Sequence, residues 1–216
     1  MTNDPFLKQL LDKIGGKSFQ IVPVVEEDFA KVNNCFFNVK EKVEKFGGKI
    51  IYGWEIQRTQ IICEAQRHAI WLSQEGKLFD ITPKLNNQKI VYFVEDNDWI
   101  FSGKMVDNVR INVTNNSMVD DLILISETIG QLNQIGSFSE NGEFKTLNKI
   151  EDTVKILERM KNDLETFIFG GNNMNSICFC CNEKLYKECF GATLKDLMNL
   201  VIQKTNEMII EYNTSR

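Results

Sequence analysis

Apolar positions along this chain repeat with two different periods, and the change between them falls near Asn116. Before it, short alternating runs dominate. Phe6, Leu7, Leu10, Leu11 and Ile14 share one face of an opening helix, with Asp4 as its cap, Pro5 in its first turn and Gly15-Gly16 as its stop. "SFQIVPVV" reads as an extended segment broken by Pro23. A second helix starts near Asn33-Asn34, carries Phe36, Val39, Val43 and Phe46 on one side, and stops at Gly47-Gly48. "KIIYGWEIQ", "QIICEAQRHAIWL" and "KLFDIT", the last closed by Pro83, read as strands; "KIVYFVED", "WIFSGK" and "VRINVT" are further short ones. After Asn116 the period becomes helical. "MVDDLILISETIGQLNQI" is one helix, and in "IEDTVKILERMKNDLETFIF" Ile150, Val154, Leu157, Met160, Leu164 and Phe167 step by three and four. "GGNNMNS" is a linker, and a last helix starts at Thr193, whose hydroxyl can cap it with Asp196 three residues on. Strands first and helices second predict an α+β fold, with an antiparallel sheet in the N-terminal half.

Composition narrows the function classes. The chain has 216 residues, 43% hydrophobic and 25% charged, which suits a globular protein with one good core and a small appendage. Its formal net charge of -5 argues against non-specific nucleic-acid binding, which needs excess Lys and Arg. Runs such as "DLILI" are too short to span a bilayer. The N-terminus alternates apolar and charged residues and shows no apolar signal region, so a reducing, cytoplasmic setting is expected. There, six cysteines with four between Cys178 and Cys189 point to metal binding rather than disulfides.

Candidate chemistry centres on His68, the only histidine. A thiol needs a base to become a thiolate, and the base needs a third group to orient it. Cys35 falls at the expected start of a helix, where free N–H groups and the positive end of the dipole favour a thiolate and can hold an oxyanion. The competing reading of Cys35 is a small buried hydrophobe beside Phe36 and Phe37. Period two puts His68 with Glu64 and Gln66, opposite the face of Ile61, Cys63, Ala65, Ala69 and Trp71. If Ser73–Lys77 is a hairpin loop and Leu72 faces Leu78, then Asp80 and His68 are diagonal neighbours on one face. A one-residue slip would separate them. The plain alternative for Asp80 is a strand-end residue that caps local backbone.

Residues 34–83 resemble the transglutaminase-like core of the papain-type cysteine enzymes. The similarity rests on the helix begun by Cys35, the glycine-marked strand "GGKIIYGWEI", the strand containing "HAIW", and "LFDITP" after a turn. The resemblance implies Cys35 as nucleophile, His68 as base and Asp80 as orienter. This chain has Asn33-Asn34 where the family usually has a glycine, and its tryptophan stands third after the histidine, at Trp71. Asn33, Asn34 or Gln66 could complete an oxyanion hole.

"CFCCNEKLYKECFG" resembles the SEC-C zinc motif, with Cys178, Cys180 and Cys189 in register, together with Lys184, Tyr186, Lys187 and Gly191. The motif's fourth ligand position holds Phe190, and Cys181 stands as the substitute ligand of a structural zinc. The expected organisation is a transglutaminase-like α+β domain at 1–145, a helix and linker at 146–170, and a zinc motif with its helix at 171–216. The implied function is a thiol hydrolase or acyl transferase acting on an amide or thioester of a protein or peptide, with the zinc module for docking. The alternative is a non-catalytic adaptor on the same scaffold.

Overall fold

The computed structural model describes residues 4–16, 18–140, 142–180 and 183–214. Asp4 caps the first helix, α1 (Pro5–Lys13), by accepting from Phe6 N at 2.9 Å. The strands are β1 (Gln20–Pro23), β2 (Lys49–Arg58), β3 (Ile62–Leu72), β4 (Leu78–Phe79), β5 (Ile90–Glu95) and β6 (Val109–Asn112). Between β1 and β2 runs α2 (Cys35–Phe46). The sheet has the order β1-β5-β2-β3-β4, with β6 also on β3, and the pairs β1–β5, β5–β2, β2–β3 and β3–β4 are antiparallel. Beyond β4 a parallel bridge joins Asp80 to Val24, just after β1, with Asp80 N donating to Pro23 O at 3.0 Å and Val25 N to Asp80 O at 2.8 Å. Since β1 and β4 are the two ends of the strand order, this bridge nearly closes the sheet.

Contacts divide the chain into two units. One holds the chain up to Thr59, Cys63–Ile111 and Phe138–Phe144; the other holds Gln60–Ile62, Asn112–Ser137 and the chain from Lys145. In the first, Val22, Ile70, Val91 and Phe93 form one core cluster. Val39 of α2 packs with Ala69 and Ile81 in another. In the second, α3 (Met118–Asn133) packs against α4 (Asn148–Phe169) and α5 (Phe190–Thr214). Ile150, Val154, Leu157 and Leu164 are buried there, as their spacing predicts, with Met160 and Phe167 packed at the edge. Because α3 belongs to this helical core, the observed division differs from the expected boundary at 145. Among the described residues no helix is long and apolar enough to cross a membrane.

Three expectations need correction, and one element is new. The third strand is shorter than "KLFDIT", because Asp80 leaves β3 and takes backbone partners at the end of β1. "WIFSGK" is not a strand: Trp99 and Phe101 lay their rings on Phe36, and Phe101 stacks on it at 4.1 Å. Its alternation serves to cover α2, not to pair. Phe46 is exposed, with Lys42 Nζ 4.1 Å from the ring centroid. A small hairpin of β7 (Ser137–Phe138) and β8 (Phe144–Lys145) was not anticipated.

Gly53 sits in the middle of β2, where an added Cβ would stand 2.1 Å from the Val94 carbonyl oxygen and 2.6 Å from Phe93. The first of these is backbone and cannot swing away. Gly53→Ala is therefore expected to cost about 1–3 kcal/mol as overpacking, read from urea unfolding; an unchanged midpoint would refute the close approach.

Candidate active site

The site is built on the even register that the hairpin between β3 and β4 imposes. Leu72 pairs with Leu78 and Trp71 with Phe79, so Asp80 comes to the same face as His68. On the other side Gly53 pairs with His68 and Glu55 with Gln66. His68 thus has no side chain directly opposite on β2, and Glu55 becomes its diagonal neighbour there, as Asp80 is on the other side. Cys35 opens α2 and is buried. One turn later Asn38 fixes the helix in place. It accepts from Lys31 N at 2.9 Å and donates to Lys31 O at 2.8 Å and Thr82 Oγ1 at 3.1 Å. Thr82 N in turn donates to Asp80 Oδ1 at 3.0 Å. At the far end, Trp71 Nε1 donates to Gly47 O at 2.9 Å. The helix that presents the thiol is therefore bonded at both ends to the strands that present the imidazole and the carboxylate.

The structure sets Asp80 directly against His68, and Cys35 lines one cavity with His68. Asp80 Oδ2 stands 2.9 Å from His68 Nε2. Its other oxygen, Oδ1, caps the backbone at Thr82, the local contact that the plain alternative foresees. Cys35 is near enough to the imidazole for its charge to act on it, and both line one cavity. His68 and Asp80 are buried, at 4% and 0% exposure. Burial by itself pulls the His68 pKa down, but Cys35 and Asp80 outweigh it by charge and hydrogen bond, and the imidazole rises to about 10. Burial pushes Asp80 up, yet His68 and Lys84 hold it down at about 2.

Sequence reasoning missed two members. Glu55 Oε2 lies 3.6 Å from His68 Nδ1, and Lys84 Nζ bridges Glu55 Oε2 at 2.7 Å and Asp80 Oδ2 at 2.8 Å. Burial lowers the Lys84 pKa, but the two carboxylates more than restore it, leaving a net rise. The signal for Glu55 was a lone charge inside "YGWEIQ", between residues whose neighbours are apolar. Glu55, His68 and Asp80 lie close enough to hold a cation. The Lys84 ammonium already fills that role, and no metal is needed to balance the carboxylates. Cys35, Glu55, His68 and Lys84 line one cavity of about 280 Å³, with Asn33 and Gln66 among the other walls. Asn34 is not among the residues that line it; its amide lies against the position a Cβ on Gly142 would take. Asn34 is the N-cap of α2 but makes no side-chain cap bond, which leaves the first-turn N–H groups beside Cys35 to other acceptors.

A second cluster lies in the helical unit. Cys178 Sγ is 3.2 Å from Cys180 Sγ, which is 3.3 Å from Cys189 Sγ. The loop folds back through Cys178 N to Lys184 O at 2.8 Å and a bridge between Ile177 and Leu185. These three sulfurs could hold a metal ion. Burial opposes the Cys178 thiolate, but N–H groups of Cys180 and Phe190 and the neighbouring thiols leave its pKa below the ordinary value. Cys180, sharing with both neighbours, is pushed up. Cys181 lies outside the described residues. Phe190 packs its ring on Phe179 and Tyr186, at 5.1 and 5.7 Å, so the motif's fourth position is spent on packing. Gly191 is needed, because a Cβ there would meet the Tyr186 ring at 2.5 Å. The last helix starts at Phe190, three residues before Thr193. The Thr193 hydroxyl bonds back to Phe190 O at 3.3 Å instead of capping.

Comparisons with family models, with curated proteins and with solved structures find no match to the chain.

The titrations predict how stability follows pH. Asp80 is lowered from 3.8 to about 2, so its contribution is full above pH 3.8 and is lost as pH falls toward 2. His68 is raised from 6.5 to about 10, so its contribution is full below pH 6.5 and is lost as pH rises toward 10. Urea midpoints should peak between these limits. Asp80→Asn should flatten the acid limb and His68→Ala the alkaline one; an alkaline slope that survives His68→Ala would assign it elsewhere.

Proposed function

We propose that this chain is a thiol hydrolase or acyl transferase acting on an amide or thioester, with Cys35 as nucleophile, His68 as base and Asp80 as orienter. The observation that carries this reading is the imidazole itself. Its Nε2 is held by a buried carboxylate, and it lines one cavity with a cysteine at the start of a helix, whose charge acts on it. With Nε2 committed to Asp80, Nδ1 is the nitrogen left to take the thiol proton. Cys35 would attack the substrate carbonyl carbon, and the free N–H groups of the first turn of α2 would receive the developing oxyanion. His68 would then hand its proton to the leaving amine or thiol, giving an acyl-enzyme that water or an amine resolves. The order of elements, from cysteine helix to histidine strand to aspartate, supports the transglutaminase-like assignment. A protein or peptide is the substrate class that the resemblance implies. The reading places the chain in a reducing, cytoplasmic setting, consistent with its free thiols.

Zinc is the metal we assign to Cys178, Cys180 and Cys189, on the chemistry of three convergent thiols. Bound there, it would cross-link the loop to the start of α5, and the module would serve docking.

Alkylation of Cys35 by iodoacetamide at pH 6, followed by peptide mass spectrometry, tests the thiol assignment. His68→Ala should slow it by about 10²-fold, and Asp80→Asn by less. A rate that ignores His68→Ala would favour the adaptor.

Elemental analysis tests the metal. The protein should carry one equivalent of zinc, lost in Cys178→Ser and Cys189→Ser with Cys35 alkylation intact. Zinc far below one equivalent in the wild type would mean the sulfurs gather without a metal.

A further inference from the structure

A Cys-His-Asp triad has no use for a second buried carboxylate, yet Glu55 is 3% exposed and faces the same imidazole. Its position is specific. Gly53 leaves the strand empty opposite His68, and Lys84 anchors Glu55 Oε2 at 2.7 Å. The 3.6 Å between Glu55 Oε2 and His68 Nδ1 is too long for a direct hydrogen bond. It is the span that one small hydroxylic or amine group can bridge, with bonds of about 2.8 Å to each atom. The cavity that both residues line is large enough for such a group and is walled mainly by polar side chains. Among the described residues the other oxygen, Oε1, has one long contact, 3.5 Å from Gln57 Nε2.

We propose that Glu55 positions the nucleophile of the second chemical step, the water or primary amine that resolves the acyl-enzyme. This rests on the thiol reading above and adds a residue to it. In the water case, one hydrogen points to His68 Nδ1 and the other to Glu55, which leaves a lone pair aimed at the thioester carbonyl. The oxygen attacks the carbonyl carbon, and the first hydrogen passes to Nδ1 as a proton. The tetrahedral intermediate collapses, the carbon–sulfur bond breaks, and Cys35 leaves as thiolate. The product acid departs with the new carbon–oxygen bond, and the proton stays on His68. Glu55 accepts a hydrogen bond throughout and neither gains nor loses a proton. The first step does not call on Glu55, because Cys35 is then the nucleophile.

The test separates the two steps with p-nitrophenyl acetate on the full chain. Release of p-nitrophenolate in a burst reads acylation, the steady rate reads deacylation, and intact mass reads acetyl-Cys35. Glu55→Gln should slow the steady rate at least tenfold more than the burst. It should slow the steady rate by about 10²-fold and accumulate acetyl-Cys35. Equal slowing of both steps, or no change in either, overturns the proposal while leaving the thiol reading in place. A wild type with neither burst nor acetyl-Cys35 sinks the thiol reading, and this proposal with it. A measurement on the wild type guards against a variant that misfolds. A high-resolution crystal structure of the wild type with Cys35 alkylated by iodoacetamide should show an ordered water within about 3.2 Å of both Glu55 Oε2 and His68 Nδ1. A dry gap, or a direct bond between the two, overturns the proposal.

Discussion

One ammonium group holds the centre of the first unit together. Lys84 stands between Asp80 and Glu55, two buried carboxylates that reach His68 from opposite neighbouring strands. Without a cation the two negative charges would have to be buried together, at a desolvation penalty of several kcal/mol per ion. With it, the cluster of Lys84, Asp80, Glu55 and a protonated His68 sums to zero charge. Each carboxylate then accepts bonds at the short end of the range, 2.7 to 2.9 Å, that marks charge-assisted pairs. Geometry follows from this balance. Lys84 lies four residues beyond Asp80 in sequence, so the chain after β4 must curl back over the site to complete it.

The same segment also nearly closes the sheet. Asp80 uses its backbone to reach the end of β1, one side-chain oxygen to cap Thr82, and the other to hold His68 and Lys84. Thr82 passes the constraint to Asn38, and through it to the helix that starts at Cys35. Few of these groups could shift alone. The thiol and the imidazole come from elements more than thirty residues apart in sequence, and their meeting depends on this chain of buried hydrogen bonds more than on apolar packing.

Much of this was legible in the sequence, for identifiable reasons. The five-residue loop that sets Leu72 opposite Leu78 decides which face Asp80 shares, and alternation in "CEAQRHAIW" puts His68 on the polar side. Glycine pairs set the ends of α1 and α2. What stayed hidden was non-local. Nothing near Pro83 in the sequence says that Lys84 will be buried between two carboxylates, because that depends on β2 lying beside β3 at a given register. The loss of pairing beyond Phe79 follows from β1, sixty residues earlier. The alternation in "WIFSGK" was real but was used to stack rings on Phe36, and period alone does not distinguish those outcomes. At Thr193 the capping pattern was present, but the ring of Tyr186 packed against Gly191 lets the helix begin at Phe190.

The charge balance also bears on the choice between enzyme and scaffold. Lys84, Asp80, Glu55 and His68 satisfy one another without the thiol, so a structural role could account for these four. It does not account for Cys35. A buried cysteine acting as a small hydrophobe would be expected among apolar side chains. Cys35 instead opens a helix whose N-cap side chain makes no cap bond, and borders, with His68, a cavity whose other walls include Asn33, Gln57, Gln66 and Gln88. Polar walls beside a buried thiol, and an N-cap side chain that makes no cap bond, add little to the stability of the folded chain. They match an oxyanion and an acyl group, and that match is why the thiol reading is preferred to the adaptor.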